Sequence, residues 1–287
     1  MGDIISGEVK DLGGFSVRRL LPAAHRGMIG PFVFLDHFGP ASFEPGTGID
    51  VRPHPHIGLA TVTYLYEGGI LHRDSLGSVQ EILPGDVNWM IAGAGIVHSE
   101  RETEAKRQQP HVQHGIQTWL ALPDSQEETQ PGFSHHPAAT LPNCVEFDGV
   151  AMRLIAGDAY GESSPVPVFS PMFYLDVQMQ VGSRVTFPNT QNETGVYLVS
   201  GQLTCGEQLI QPGRMAYFPP GPHPALEARE HSVLLLFGGE RFTSPRHVWW
   251  NFVSSSRDRI EQAKARWRDG EFPSIEGDSE FIPLPQD

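Results

Sequence analysis

His54-Pro55-His56 and His98-Ser99-Glu100 are the residues of this chain best suited to chemistry. In each triplet the two outer residues are metal-ligand types, and both triplets lie in strand-like sequence. Successive side chains on a strand point to opposite faces, so a spacing of two puts both members of a pair on the same side. Two such strands side by side would present three imidazoles and one carboxylate to a common point. The spacing therefore predicts a metal site built from His54, His56, His98 and Glu100. Imidazole suits iron, nickel, copper, zinc and manganese, while one carboxylate oxygen hardens the set against a thiolate-seeking ion. These ligands leave positions open on an octahedral ion, which a catalytic centre keeps and a structural zinc site closes. The chain holds 13 histidines, and a lone histidine is usually structural or solvated; the joint spacing sets these apart.

The elements that must position these residues read as β-structure. The 31 glycines and 25 prolines are spread evenly and punctuate short β-prone runs such as Thr61-Val62-Thr63-Tyr64-Leu65 and Gly195-Val196-Tyr197-Leu198-Val199. Many short strands at turn-separated intervals predict an all-β sandwich or barrel. Helical periodicity is convincing in one place, from about Ser256 to Trp267, where Ile260, Ala263 and Trp267 recur on one face. Ser255 or Ser256 would be its N-cap, Gly270 and Pro273 lie beyond its end, and the apolar stripe predicts packing back onto a barrel.

Between Pro123 and Pro142 the chain turns polar and proline-rich without periodicity, which predicts a linker. On either side lies a weak internal repeat. Gly85-Asp86-Val87 opens a strand expected to run through Trp89 to His98, and Gly213-Arg214-Met215 opens one running through Tyr217 to His223. Before each comes a β-rich segment ending in glycine, Tyr64 to Gly68 and Tyr197 to Gly201. Two copies of one β-barrel account for this, with domains expected over residues 1–130 and 131–287 and the C-terminal helix in the second. Where the first copy carries His54 and His56, the second carries Asn189-Thr190-Gln191-Asn192, so a metal is expected in the first copy alone.

The length of 287 residues suits two domains, each able to bury its own core. Cys144 and Cys205 lie far apart with no CxxC pair, so no disulfide framework is expected and a reducing compartment is the simpler reading. Met1 to Ile5 has neither a basic nor an apolar signal region, and the longest apolar run, Val233 to Phe237, is far short of a bilayer span. A cytoplasmic protein without membrane association is expected. The formal net charge is −14, from 34 acidic and 20 basic residues, and a field of that sign repels a phosphate backbone. The basic residues from Arg257 to Arg268 are interleaved with acids, which argues against direct nucleic-acid binding. His72-Arg73-Asp74 spells the start of a kinase catalytic loop, but no Gly-rich loop, lysine strand or Asp-Phe-Gly accompanies it, so it reads as strand and turn.

Taken together, these motifs resemble the cupins, and more closely the pirins. The first cupin pattern, G-x5-H-x-H-x3,4-E-x6-G, matches at Gly48, His54, His56 and Gly68, although Ala60 and Thr61 occupy the positions allowed for its acid. The second, G-x5-P-x-G-x2-H-x3-N, matches at Gly85, Gly93 and His98, with Ile91 for the proline and a longer last spacing. Pirins share that departure, and their fourth ligand is the glutamate two residues after the third histidine, here Glu100. The resemblance continues through Asp36 to Pro40, Pro53 to Leu65, His72 to Gly77, Pro84 to Met90, Gly95 to Glu100 and Trp249 to Ser256. Ile57 stands where pirins commonly have arginine, Ala60 where glutamate is common, and Ala94 replaces a basic residue. Each lies near a ligand and would alter the polarity around it.

The resemblance implies two tandem jelly-roll-like cupin barrels with a short C-terminal helix, and one divalent metal. Fe(II) is the expected ion, with Ni, Co, Mn, Cu or Zn as alternatives. The activity it implies is a dioxygenase acting on a flavonol such as quercetin, with O2 as co-substrate; Glu100 is the best candidate for the base that takes the substrate's hydroxyl proton, the alternative being a ligand with no part in proton transfer. A metal lowers the pKa of a coordinated hydroxyl, which makes that proton transfer feasible. The resemblance equally implies a second reading, an iron- or redox-sensing protein that regulates a transcription factor or metabolic enzyme by protein–protein contact. A bicupin isomerase or non-catalytic binding protein is a third. Fold alone does not choose among them.

Overall fold

Alternation of side chains along short strands decides the architecture, because each strand must bury one or both faces against a second sheet. The computed structural model describes residues 2–144 and 147–285. Its regular structure is mostly antiparallel strands, arranged as two cupin barrels, with a C-terminal helix.

The two compact units are not contiguous halves. One comprises Lys10–Val17, Asp36–Ala138 and Thr243–Asp287; the other comprises Met1–Val9, Arg18–Leu35 and Ala139–Phe242. The helix assigned by sequence to the C-terminal half thus falls, with the whole segment from Thr243, in the unit that carries the histidines.

In the histidine-bearing unit a four-stranded sheet runs in the order Asp50–His56, Ile96–Arg101, Ile70–Asp74, Val79–Ile82. The larger sheet takes the order Gly132–His136, Val87–Ile91, Leu59–Glu67, His111–Ala121 and then the strand that carries Phe38. Phe38 and Leu65 of the larger sheet pack with Ile70 and Ile82 of the smaller one at one end of the barrel. In the other unit, strands such as Met172–Met179, Glu193–Ser200 and Ser232–Gly239 form the centre of an eight-stranded sheet. Its core is made by Leu175, Val177, Val196, Leu198, Leu234 and Leu236 with their neighbours, and Cys144 and Cys205 are buried there.

Two expectations are corrected. The stretch from Trp89 to His98 is not one strand. Val87–Ile91 and Ile96–Arg101 belong to different sheets, and the chain turns between them through Gly93, whose φ is +50°, with the Gly95 N–H bonded to the Ala92 carbonyl. The second repeat breaks likewise, after Arg214–Phe218. The polar segment from Pro123 to Pro142 is not merely a linker, since Gly132–His136 adds an edge strand beside Val87–Ile91. Edge strands need only half their ladder and tolerate polar composition, which hid this one.

The helix forms over Arg257–Arg268, with Ser256 at the N-cap in extended conformation and Gly270 just past the end at φ +71°. Ile260 and Ala263 pack with Ile57, Val97, Phe252 and Phe272. Ile57 and Val97 each neighbour a candidate ligand in sequence, so alternation turns them away from the histidines toward the helix. The helix therefore buttresses the backs of both histidine-bearing strands. Among the described residues no helix is long and apolar enough to cross a membrane.

Candidate metal centre

His54 and His98 stand directly opposite each other on adjacent antiparallel strands, and His56 pairs with Ile96 two residues along. The ladder then slips: Glu100 faces Val51, so the strand carrying His54 has one extra residue around Arg52-Pro53. Proline has no N–H to give the ladder, which favours a bulge there. The bulge leaves the Arg52 carbonyl free to accept the Nδ1–H of His54 at 2.9 Å. The Pro53 carbonyl accepts the Ile282 N–H at 2.8 Å.

His56 donates its Nδ1–H to the Asn251 carbonyl at 3.0 Å. A carbonyl only accepts, so in His54 and His56 the proton lies on Nδ1 and Nε2 keeps its lone pair. The Nε2 atoms of His56 and His98 are 3.1 Å apart, and ligand atoms of all three histidines lie within 4.8 Å of one another. Two imidazole nitrogens bound at adjacent octahedral positions of one ion, with bonds of about 2.1 Å, lie about 3 Å apart. The spacing of His56 and His98 thus fits two ligands of one divalent cation, and the Nδ1–H bonds leave the Nε2 lone pairs of His54 and His56 available to it.

All three rings are buried. Burial lowers His54 from its usual 6.5 to about 4, against the Arg52 hydrogen bond and with the neighbouring His72 adding to the effect. Burial and the neighbouring histidines hold His56 and His98 well below their ordinary value. The cluster is therefore neutral near pH 7, the state in which imidazole ligates.

Glu100 lies on the same strand as His98, next to the compact three-histidine group and not within it. Burial raises its carboxyl above the ordinary range, partly offset by the neighbouring His72 and Thr63. The Thr63 hydroxyl lies 3.4 Å from Glu100 Oε1 and donates at 2.9 Å to Gln117 Oε1. Thr63 and Gln117 face each other on neighbouring strands of the larger sheet, which brings its polar side chains up to the site. Trp119, on that same face, sets its ring edge-on to His56 at 4.9 Å between centroids.

Several participants escaped the sequence reading. His72 and Asp74, set aside as strand and turn, sit on the strand beside Ile96–Arg101, with Glu100 opposite His72 and His98 opposite Asp74. Their i, i+2 spacing in a β-prone run is the same signal that singled out the ligand pairs. Phe133, from the unexpected edge strand, stacks on His72 at 4.3 Å. Asn251 contributes a backbone atom, which leaves no trace in residue type. It follows Trp250, a non-glycine residue at φ +50°, a conformation held at a cost of roughly 1–3 kcal/mol.

The geometry can be set beside known proteins. A family model described as Pirin matches residues 14–120, and one described as Pirin C-terminal cupin domain matches residues 174–273. The chain is 49% identical over 283 residues to a pirin-like protein of Caulobacter vibrioides, covering 96% of each. It is 32% identical over 268 residues to the pirin of Rattus norvegicus, covering 91% of this chain and 88% of the rat protein. A crystal structure of quercetin 2,3-dioxygenase from Acinetobacter baumannii matches with a TM-score of 0.91 at 33% identity, covering 99% of this chain and 95% of that one. With both family models matched and relatives aligned along nearly its whole length, the chain belongs to the pirin family.

Proposed function

We propose that this pirin is a metal-dependent dioxygenase that opens a flavonol such as quercetin. The observation that carries the reading is the convergence of the three histidines, with His56 and His98 Nε2 atoms 3.1 Å apart and the Nδ1 protons of His54 and His56 engaged elsewhere. That arrangement supplies neutral lone pairs in a buried site. The 33%-identical structural relative named as a quercetin 2,3-dioxygenase supports flavonol and O2 as the substrates.

When bound, a divalent ion, Fe(II) in our reading, would acidify a flavonol 3-hydroxyl and bring it together with O2. His54, His56 and His98 would hold the ion and Glu100 would complete the set. Glu100 would also take the hydroxyl proton: burial raises its pKa, which makes it a better base than an ordinary carboxylate. Ring opening with loss of carbon monoxide follows from addition of O2 to the electron-rich enolate.

The test is anaerobic reconstitution with Fe(II), then oxygen uptake and carbon monoxide release with quercetin, beside a His56→Ala control. Uptake and release that vanish in the control are expected. Metal bound at 1:1 with nothing consumed across several flavonols would overturn the dioxygenase and favour an iron- or redox-sensing protein that acts through a protein partner.

A further inference from the structure

The three histidines do not fix their protons alike. His54 and His56 give Nδ1–H to backbone carbonyls, whereas His98 Nδ1 meets another imidazole, His72 Nδ1, at 3.4 Å. A carbonyl dictates the tautomer of its partner. An imidazole nitrogen does not, because it can donate or accept. The proton on His98 is therefore undetermined until something fixes His72.

Asp74 does so. Its Oδ2 lies 2.9 Å from His72 Nε2, while its Oδ1 accepts the backbone N–H groups of Leu76 at 2.9 Å and Ser78 at 3.0 Å. Both carboxylate oxygens are thus used, and all of Asp74, His72 and His98 are buried. A carboxylate only accepts, so a neutral His72 carries its proton on Nε2. Its Nδ1 is then an acceptor, His98 must donate from Nδ1, and His98 Nε2 is left as a lone pair aimed at His56 Nε2.

We propose that His72 and Asp74 are positioning residues that set the ligating tautomer of His98 from outside the metal centre, with no change in net charge. The proposal rests on the reading of His54, His56 and His98 as metal ligands. A carboxylate behind a ligating histidine is a common way to orient it; here the carboxylate acts through a second imidazole.

The informative variant is Asp74→Asn, which keeps shape. The Leu76 and Ser78 N–H groups would hold the single amide oxygen, leaving the NH2 to face His72 Nε2. His72 would then donate from Nδ1, and His98 would carry its proton on Nε2, where it blocks ligation. We would record the imidazole nitrogen shifts of His98 in the metal-free protein by NMR. Co(II) affinity would be titrated in parallel for wild type, Asp74→Asn, His72→Phe and His54→Ala. Expected are an Nδ1–H tautomer in wild type, an Nε2–H tautomer in Asp74→Asn, and a loss of affinity of about 10- to 100-fold in that variant, the usual effect of removing such a partner.

An unchanged tautomer, or affinity within about twofold of wild type in Asp74→Asn while His54→Ala abolishes binding, overturns the proposal. So does loss in His72→Phe as severe as in His54→Ala with Asp74→Asn unaffected, since His72 would then be a ligand. Wild-type affinity in His54→Ala would instead remove the metal centre itself.

Discussion

The Asn251 carbonyl accepts the Nδ1–H of His56 at 3.0 Å across 195 residues of sequence. A backbone atom near the C-terminus thereby sets which nitrogen of an N-terminal histidine faces the site. The contact depends on how closely the segment from Trp249 to Ser254 approaches the strand end at Ile57-Gly58. There the Val253 N–H bonds the Ile57 carbonyl at 3.2 Å.

Gly58 permits that approach. Its φ is +69°, and a Cβ would stand 1.9 Å from the Val253 carbonyl oxygen. Gly58→Ala should displace the Val253 backbone and destabilise the fold by roughly 2–4 kcal/mol, from left-handed strain and overpacking together. Because Asn251 moves with Val253, metal affinity should fall as well. Urea unfolding and a metal titration of the variant check both, and unaltered affinity in a folded variant would show that the Asn251 contact is dispensable.

A buried ion pair holds the same segment farther along. Arg246, with its side chain 1% exposed, places Nε 3.2 Å from Glu127 Oε1. Glu127 in turn accepts from the Ser254 hydroxyl at 2.9 Å, the Ser255 N–H at 2.7 Å and the Ser255 hydroxyl at 3.1 Å. Replacing Arg246 with Met strands the Glu127 carboxylate, a change that costs about 3–5 kcal/mol for buried pairs. Hydrogen exchange should show faster opening over residues 247–256 in that variant, with the unit containing Met172–Met179 unaffected.

How much of this was legible in the sequence follows from what kind of signal each feature leaves. The convergence of His54, His56 and His98 was legible because alternation converts spacing into a shared face, and the helix because Ile260 and Ala263 carry its period. The units were not, since the segment from Thr243 joins the histidine-bearing unit through contacts such as Phe252 with Ile57 that no local pattern records. Asn251 acts through its backbone and the bulge at Pro53 through a missing N–H, so composition is silent about the first and only suggestive of the second. His72 and Asp74 did leave a signal, masked by a coincidental kinase-like triplet.

The stability of the metal-free protein should depend on acidity in a defined window. His54 titrates at about 4 in the folded chain against 6.5 when unfolded, so between those values the unfolded state binds more protons. Stability is then present in full above 6.5 and is lost as pH falls toward 4. At about 1.4 kcal/mol per unit, His54 accounts for about 3 kcal/mol, and His56 and His98 act in the same direction. Glu100, raised by burial, works oppositely: its contribution is present below the ordinary carboxylate value and fades as pH rises through its raised one. Denaturant unfolding across this range should show stability climbing with pH, and a flat profile would contradict the buried neutral cluster.

Glu100→Gln separates ligation from proton transfer at the remaining position. The amide keeps an oxygen for Thr63 and for a metal but cannot take a proton. With three imidazoles still converging, the metal should be retained with at most about tenfold weaker binding. Loss of a general base typically costs 10²–10⁴-fold in turnover. Metal content near 1:1 with oxygen uptake on quercetin reduced by that range would identify Glu100 as the base. Unimpaired uptake would leave it without a role in proton transfer, and the hydroxyl proton would have to leave by another route.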